Sequence, residues 1–316
     1  MKKIYIPVGG RLGNQLFYYG FGRWLQIKYF PQYELCFDFS AVKKQGEDYR
    51  YEKSGWENSL KLFNTKQYEE YSKDLAVYRE GTFFQKATSF FIKKVKNNRD
   101  LGDNEIRVLS KYGLVYNCRE QLENLYSFQK INGRDVFVRS VLESDYYINQ
   151  IRDKLLEEIV PKHERKKENQ VLYDIVEHTE SVCISIRRGD YVTNPELNHR
   201  FNICDKSYFE KGIYEIKSKV TNPTLIFFSD DIEWCRKNFE GKIGVPVYFE
   251  SGRDDLSEKL RLMSTCKHFI ISNSTFSWWA QWLATNEKKI VISPSIWFRD
   301  QDSSLVSGSF LKIDVN

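Results

Sequence analysis

Three apolar runs in the second half of the chain end in unusually polar segments: ISI runs into RRGDY (187–191), IFF into SDD (229–231) and FII into SNSTFS (272–277). In an open parallel sheet, ligands bind in the crevice beyond the carboxyl ends of the strands. These three segments are therefore where chemistry would sit. Arg187 and Arg188 carry rigid forks of donors that match phosphate oxygens and keep their charge at any working pH. The plainer alternative, a surface pair in salt bridges, fits poorly with a place directly after a buried strand and before the turn residue Gly189. Asp190 either holds an arginine in position or serves as a carboxylate base. Asn273, Ser274, Thr275 and Phe276 precede or open a tryptophan-rich helix. They cap it in the ordinary way, or they use the same free N–H groups to hold an anion. Asp230 and Asp231 cap the next helix or accept hydrogen bonds from a purine or ribose. Trp278 and Trp282, one turn apart, read as core packing before substrate stacking.

At the other end of the chain, KKIYIPV leads into GGRLGNQ (9–15). A glycine turn between strand and helix invites comparison with the dinucleotide fingerprint G-x-G-x-x-G, but Val8 occupies the first glycine position and only Gly10 and Gly13 fit. A nicotinamide or flavin site is set aside, although Asp38 at the end of the second strand could imitate the ribose-binding acid. The D-x-D of Asp300 and Asp302 would suggest a metal-bridged diphosphate. It lies in a polar loop near the C-terminus and is also set aside.

The elements that must position these residues are legible mainly in the second half. Strands are expected at 181–186 and 224–231, in VPVYFE, and on either side of the SNSTFSWWAQWL segment; helices are expected at 207–220 and in DDLSEKLRLMSTC. Strands alternating with helices indicate a parallel, doubly wound sheet. The first half opens as strand, glycine turn, helix and strand (33–39), then turns irregular and aromatic from about 44 to 135. An amphipathic helix is expected over 146–160, ending at Pro161, and KHERKKENQ reads as an exposed hinge. The expected domains are 1–160 and 161–316.

Composition narrows the classes. The chain has 316 residues, a net charge of +5, six scattered cysteines without a CxxC pair, and four histidines without HExxH. A zinc ribbon, a disulfide framework and a metallohydrolase are all disfavoured, and buried thiols are expected. No apolar run approaches the ~18 residues of a membrane span. The N-terminus lacks the apolar core of a signal peptide, so a cytoplasmic location is expected. The basic runs 93–99 and 162–167 read first as solvated surface. Attraction to anionic lipid at the inner face of the membrane is the alternative. No recognition motif supports nucleic-acid binding.

Taken together, GGRLGNQLFYYGFG, SIRRGDY, FFSDD and ISNSTFSWWAQWL, in this order between residue 9 and about 297, resemble the bacterial α-1,2-fucosyltransferases. The resemblance implies an α/β fold of GT-B type, with two Rossmann-like domains facing across a cleft, the first on the acceptor side and the second binding the donor. It implies inverting transfer of L-fucose from GDP-β-L-fucose to a galactose hydroxyl of a glycan, without a required metal or other cofactor. By position, Arg11, Gly13 and Asn14 belong to the first motif and are expected near the donor. Arg187 matches the critical arginine of H-x-R-R-G-D-Y, with Arg188 beside it. Asp230 matches the donor-reading acid, and Ser274, Thr275 and Phe276 the segment lining the pyrophosphate. Arg187 and Asp190 are the expected catalytic pair, with Asp190 as base or as arginine-positioning group. The sequence departs from the pattern at Ser185, where histidine is usual. Rival readings are another nucleotide-sugar glycosyltransferase on the same scaffold and a non-catalytic carbohydrate-binding protein.

Overall fold

The computed structural model describes residues 1–48, 55–71, 73, 76–95, 101–117, 123–128, 131, 133–140 and 143–315. Cys118 and the end of the 93–99 basic run lie outside the described residues. The chain forms two compact units. One comprises Met1–Asp48, Lys53–Lys61 and Thr65–Ile159; the other is chiefly Val160–Asn316, with Leu62–Asn64.

The first unit holds strands β1 (Lys3–Pro7), β2 (Glu34–Asp38), β3 (Glu69–Tyr71), β4 (Leu114–Asn117) and β5 (Val136–Ser140), in the sheet order β3-β2-β1-β5-β4. All its pairings are parallel. Its helices are α1 (Leu12–Tyr29), α2 (Ser40–Glu47), α3 (Ala76–Glu80), α4 (Phe83–Val95), α5 (Asp103–Ser110), α6 (Asp145–Asn149) and α7 (Arg152–Glu158). β1 alternates little because both faces are covered: Ile4, Tyr5 and Ile6 are all buried. α1 is buried nearly all round, through Leu16, Phe17, Tyr19, Phe21, Trp24 and Leu25. Its approach to β1 depends on Gly22, where an added Cβ would lie 2.4 Å from Ile6.

The single helix expected over 146–160 is two. Ile151, at φ −128°, breaks the run. The two turns then bury different side chains, Tyr147 and Ile148 from α6 and Leu155 from α7. The Gln150 side chain at the break accepts from Trp24 Nε1 at 3.2 Å. Amphipathic periodicity alone does not register such a break, because both segments keep their apolar residues on related faces.

The second unit holds β6 (Glu180–Ile186), β7 (Pro223–Ser229), β8 (Val247–Phe249), β9 (His268–Ile271), β10 (Val291–Pro294) and β11 (Leu311–Ile313), in the order β11-β10-β9-β6-β7-β8, again all parallel. Its helices are α8 (Gln170–His178), α9 (Gly189–Thr193), α10 (Pro195–Phe201), α11 (Lys206–Lys219), α12 (Ile232–Phe239), α13 (Leu256–Thr265) and α14 (Thr275–Leu283). The core joins Val182, Ile184, Leu225, Phe227 and Ile270 from the strands to Phe209, Ile213 and Ile216 of α11. Trp278 and Trp282 are buried and stacked, with ring centroids 6.4 Å apart, which is the core role.

The segment expected as a hinge is exposed in part but anchored. The Lys166 N–H donates to Glu258 at 3.0 Å, Arg165 pairs with Glu177 at 2.7 Å, and buried Asn169 donates to Asp254 and Glu258. Charge density in the sequence marks exposure; it does not reveal that the partners of Lys166 and Asn169 lie about ninety residues onward.

Candidate active site

The strand order places the motifs. In the second unit the chain runs from β6 outward to β7 and β8, then crosses back to β9 on the other side of β6. The topological switch point therefore falls between β6 and β9, where crevices open at the carboxyl ends of such sheets. β6 ends into Arg187, and β9 ends into Ser272. The two ends are joined by the Ser272 N–H to the Ser185 carbonyl, 3.0 Å.

Arg187 is gripped from two sides. Its Nη2 bonds Asp190, and its Nη1 lies 2.6 Å from Asp230 Oδ2. Its guanidinium carbon also stands 5.4 Å from the centre of the Tyr191 ring, which stacks on Phe201. Asp230 Oδ1 accepts the Arg188 N–H at 2.9 Å, so that carboxylate holds both the backbone turn and the arginine. The Arg188 side chain turns elsewhere: Nε donates to Asp231 at 3.0 Å and the guanidinium covers Trp234 at 4.1 Å. Two guanidinium groups thus face three carboxylates. Because the cluster carries an excess of negative charge, recognition of an anion here relies on directed N–H groups rather than on net field.

The helix starts around the cluster differ from one another. Asp205, Asp231 and Asp255 cap α11, α12 and α13 with side-chain acceptors. α14 has no such cap: Ser274 makes no side-chain cap bond. First-turn N–H groups lack intrahelical partners by geometry, and the helix dipole adds roughly half a positive charge there. Ser274, Thr275 and Phe276 are half-buried at this start. Asn273 is not: its Nδ2 donates to the carbonyls of Phe201 (2.9 Å) and Trp297 (3.0 Å), and its Oδ1 faces the Cys204 thiol. That side chain ties loops together beneath the site. Ser185 is buried, with its Oγ 2.6 Å from Ser277 Oγ in the first turn of α14. The D-x-D pair has separate positions, with Asp300 bonded to Arg200 at 3.1 Å.

The sequence reading passed over Glu250. It is 1 % exposed at the end of β8; its Oε1 accepts the Ser229 N–H at 2.7 Å and pairs with Lys259 at 2.8 Å. Burial pushes its carboxyl up, against the opposing pull of Lys259 and the Ser229 N–H. Through Ser229 it fixes the strand end that carries Asp230. A lone glutamate in VYFES gives no signal of this, because its partners come from another strand and another helix.

In the first unit the switch point lies between β1 and β5. The Gly9–Asn14 turn follows β1, and Asn14 Nδ2 donates to Glu143, which follows β5. Gly10, at φ +72°, takes the left-handed conformation, and an added Cβ would lie 2.8 Å from the Asn14 side chain. Buried Gln15 locks the turn by donating to the carbonyls of Gly10 (3.1 Å) and Glu57 (2.9 Å). The Arg11 guanidinium stands 5.0 Å from the Trp56 ring, and Gly13 is buried in the first turn of α1. Beside the β1, β2 and β5 ends is a cavity of about 370 Å³ with apolar walls at Ala41, Val77 and Val138 and charges at Asp38, Lys44 and Arg139. Asp38 itself accepts from Ser40 N–H and Oγ. Among the described residues no cluster of three or more His, Cys, Asp or Glu could hold a metal ion.

Residues 3–311 match glycosyl transferase family 11. The O-antigen biosynthesis glycosyltransferase WbnK of Escherichia coli is 29% identical over 304 residues, covering 95% of this chain and 97% of that protein. The α-1,2-colitosyltransferase of Escherichia coli is 32% identical over 203 residues, 62% of this chain and 69% of its own. Galactoside α-(1,2)-fucosyltransferase 2 of Mus musculus is 30% identical over 104 residues, 33% of this chain and 30% of its own. Among solved structures, NodZ α-1,6-fucosyltransferase co-crystallized with GDP has a TM-score of 0.46 at 12% identity, covering 89% of this chain and 91% of that one. With motifs gathered at two switch points and a family match running nearly end to end, the chain belongs to glycosyl transferase family 11 and is a glycosyltransferase.

Proposed function

We propose that the protein transfers L-fucose from GDP-β-L-fucose, with inversion, to O2 of a galactose in a glycan acceptor, forming an α-1,2 linkage. The observation that carries this reading is the double-gripped Arg187 at the switch point of the second unit, with the start of α14 on the neighbouring strand end. Donor binding is assigned chiefly to this unit, with Arg11, Gly13 and Asn14 as the first unit's contribution, and the first unit's cavity is the candidate acceptor subsite. The names of the relatives, an O-antigen glycosyltransferase and α-1,2-transferases of fucose and colitose, support the linkage and an O-antigen type of acceptor.

As the fucosyl C1–O bond breaks, negative charge grows on the β-phosphate. Preorganised donors aimed at that charge lower the barrier. Arg187 is assigned this role, with the first-turn N–H groups of 275–277. Asp230 and Asp190 align the guanidinium. Buried and engaged by Arg187, Asp190 is placed better as a positioning residue than as the base that takes the acceptor proton. Arg188 holds the turn to α12. Arg11, Gly13 and Asn14 are assigned to donor binding on family membership alone, with Asn14→Ala as the test.

The experiment is incubation with GDP-fucose, GDP-colitose, GDP-mannose and UDP-galactose against galactose-terminated acceptors, with linkage analysis of the product. Fucose transfer to O2 is expected. Faster transfer of colitose would favour the second reading that the 32% match supports. Use of UDP-galactose alone would overturn both. Arg187→Ala should lower kcat by about 10²–10³-fold with the circular dichroism spectrum unchanged. Near-native turnover by the folded variant would remove Arg187 from the leaving-group role.

A further inference from the structure

Helix α4 is built inside out. Its sequence, FFQKATSFFIKKV, turns Gln85, Ser89 and Ile92 inward, 1 %, 0 % and 6 % exposed. Gln85 fixes this face by donating to the carbonyls of Tyr112 (2.9 Å) and Asp135 (3.1 Å) while accepting from the Thr82 N–H. The phenylalanines go outward: Phe83 is 87 %, Phe90 57 % and Phe91 60 % exposed, and Phe84, resting on the Tyr112 ring at 4.6 Å, is 44 % exposed. At 3.6 residues per turn, these four side chains share the side opposite Gln85 and Ile92. Single exposed apolar residues are ordinary, but a contiguous aromatic face marks an interaction surface.

The charges on α4 say what covers it. The helix has no acidic residue, and its lysines 86, 93 and 94 flank or join the aromatic face, with Lys94 Nζ 5.8 Å from the Phe90 ring centre. The sequence continues with Lys96 and Arg99, outside the described residues. Exposed aromatic residues on one face with lysines along its edge are what a helix lying in a lipid headgroup layer requires. The phenylalanines enter the acyl boundary while the lysines reach back to anionic phosphates. A protein partner of similar affinity would be expected to meet a less uniformly cationic rim.

We infer that the outward face of α4 docks the protein on an anionic phospholipid surface. This goes beyond the transfer reaction; of the α4 residues named, Lys93 alone also lines the cavity of the first unit, and no variant below touches it.

The test is co-sedimentation with vesicles of phosphatidylcholine alone or mixed with phosphatidylglycerol, at low and high salt. Wild type should pellet with the anionic vesicles at low salt and be released by salt. Phe90→Ser with Phe91→Ser should lose at least tenfold in partitioning. Lys86→Gln with Lys94→Gln should lose roughly thirtyfold on anionic vesicles, from about fivefold per lysine, with little change on neutral ones. Transfer to a soluble acceptor should be unchanged in both double variants, which separates this inference from the reading of the active site. Absence of wild-type binding to anionic vesicles overturns the inference, as does equal binding by the phenylalanine variant. A wild-type dimer that the phenylalanine variant converts to monomer, measured by sedimentation velocity without lipid, also overturns it and makes α4 an interface between copies.

Discussion

Arg187 answers to two carboxylates, and that doubling sets what single substitutions do. Asp230→Asn removes one negative charge beside the proposed diphosphate, worth about 1 kcal/mol even in a water-like dielectric, so the KM for donor should fall severalfold. The same change weakens a charge-assisted bond worth about 1.5–3 kcal/mol, so kcat should fall roughly ten- to hundredfold through loss of alignment. Steady-state kinetics reads the split; a rise in donor KM would show that Asp230 contacts the donor directly. Asp190→Asn separates the two roles weighed for Asp190. A positioning residue leaves the acidic limb of the pH–rate profile in place at reduced height, whereas loss of that limb would mark Asp190 as the base. The residue types at these positions were legible in the sequence. Their pairing was not, because RRGDY and SDD do not say which carboxylate faces which guanidinium.

At the scale of elements, helix starts separate structure from function. Asp255 caps α13 with its Oδ1 on the Ser257 and Glu258 N–H groups, while Lys166 lies 3.0 Å from Oδ2. Burial alone would raise its carboxyl, but the Ser257 hydroxyl, the Glu258 N–H and Lys166 outweigh it and hold the group below the usual carboxylate range. A carboxyl lowered in the folded state stabilises above its unfolded value, near 3.9, and loses that contribution as pH falls through the folded one. Asp255→Ala should therefore cost about 1 kcal/mol at neutral pH, and urea unfolding of the two proteins should converge as the pH drops below about 4. A gap that stays constant into strong acid would contradict this. Glu250→Ala should cost more, about 3–5 kcal/mol, because it breaks an ion pair whose carboxylate is buried and takes the acceptor from the buried Ser229 N–H. Glu250→Gln keeps an acceptor for the Ser229 N–H and should cost less by the same measurement. Capping residues at 205, 231 and 255 are readable from type and position, and so is the serine start of α14. That α14 lacks a side-chain cap is a matter of geometry.

At the scale of the whole molecule, the scattered cysteines become a prediction. Cys36, Cys183, Cys235 and Cys266 are buried free thiols, and Cys204 is half-buried. Burial pushes Cys36, Cys204 and Cys235 up to about 12 and Cys183 well upward. Thiolates are the reactive form, so these thiols should resist a thiol-reactive dye in the native protein and all react in urea. Rapid native labelling of more than one thiol would contradict this. Among the described residues no helix is long and apolar enough to cross a membrane.

What the sequence determined by itself was the kind of protein: four ordered motifs carried the family resemblance, and alternating strands and helices in the second half carried the parallel sheet. Both are local signals, written in a few consecutive residues. The stretch from 44 to 135 was illegible because its strands β3 and β4 are short and take their identity from neighbours in the sheet. Tertiary structure alone decided the strand order, and with it the two switch points that gather the motifs. It also decided the grip on Arg187, the support from Glu250 and the outward turn of the α4 phenylalanines. Each depends on residues far apart in the chain meeting in space, and no local pattern encodes which face of an element the rest of the molecule will cover.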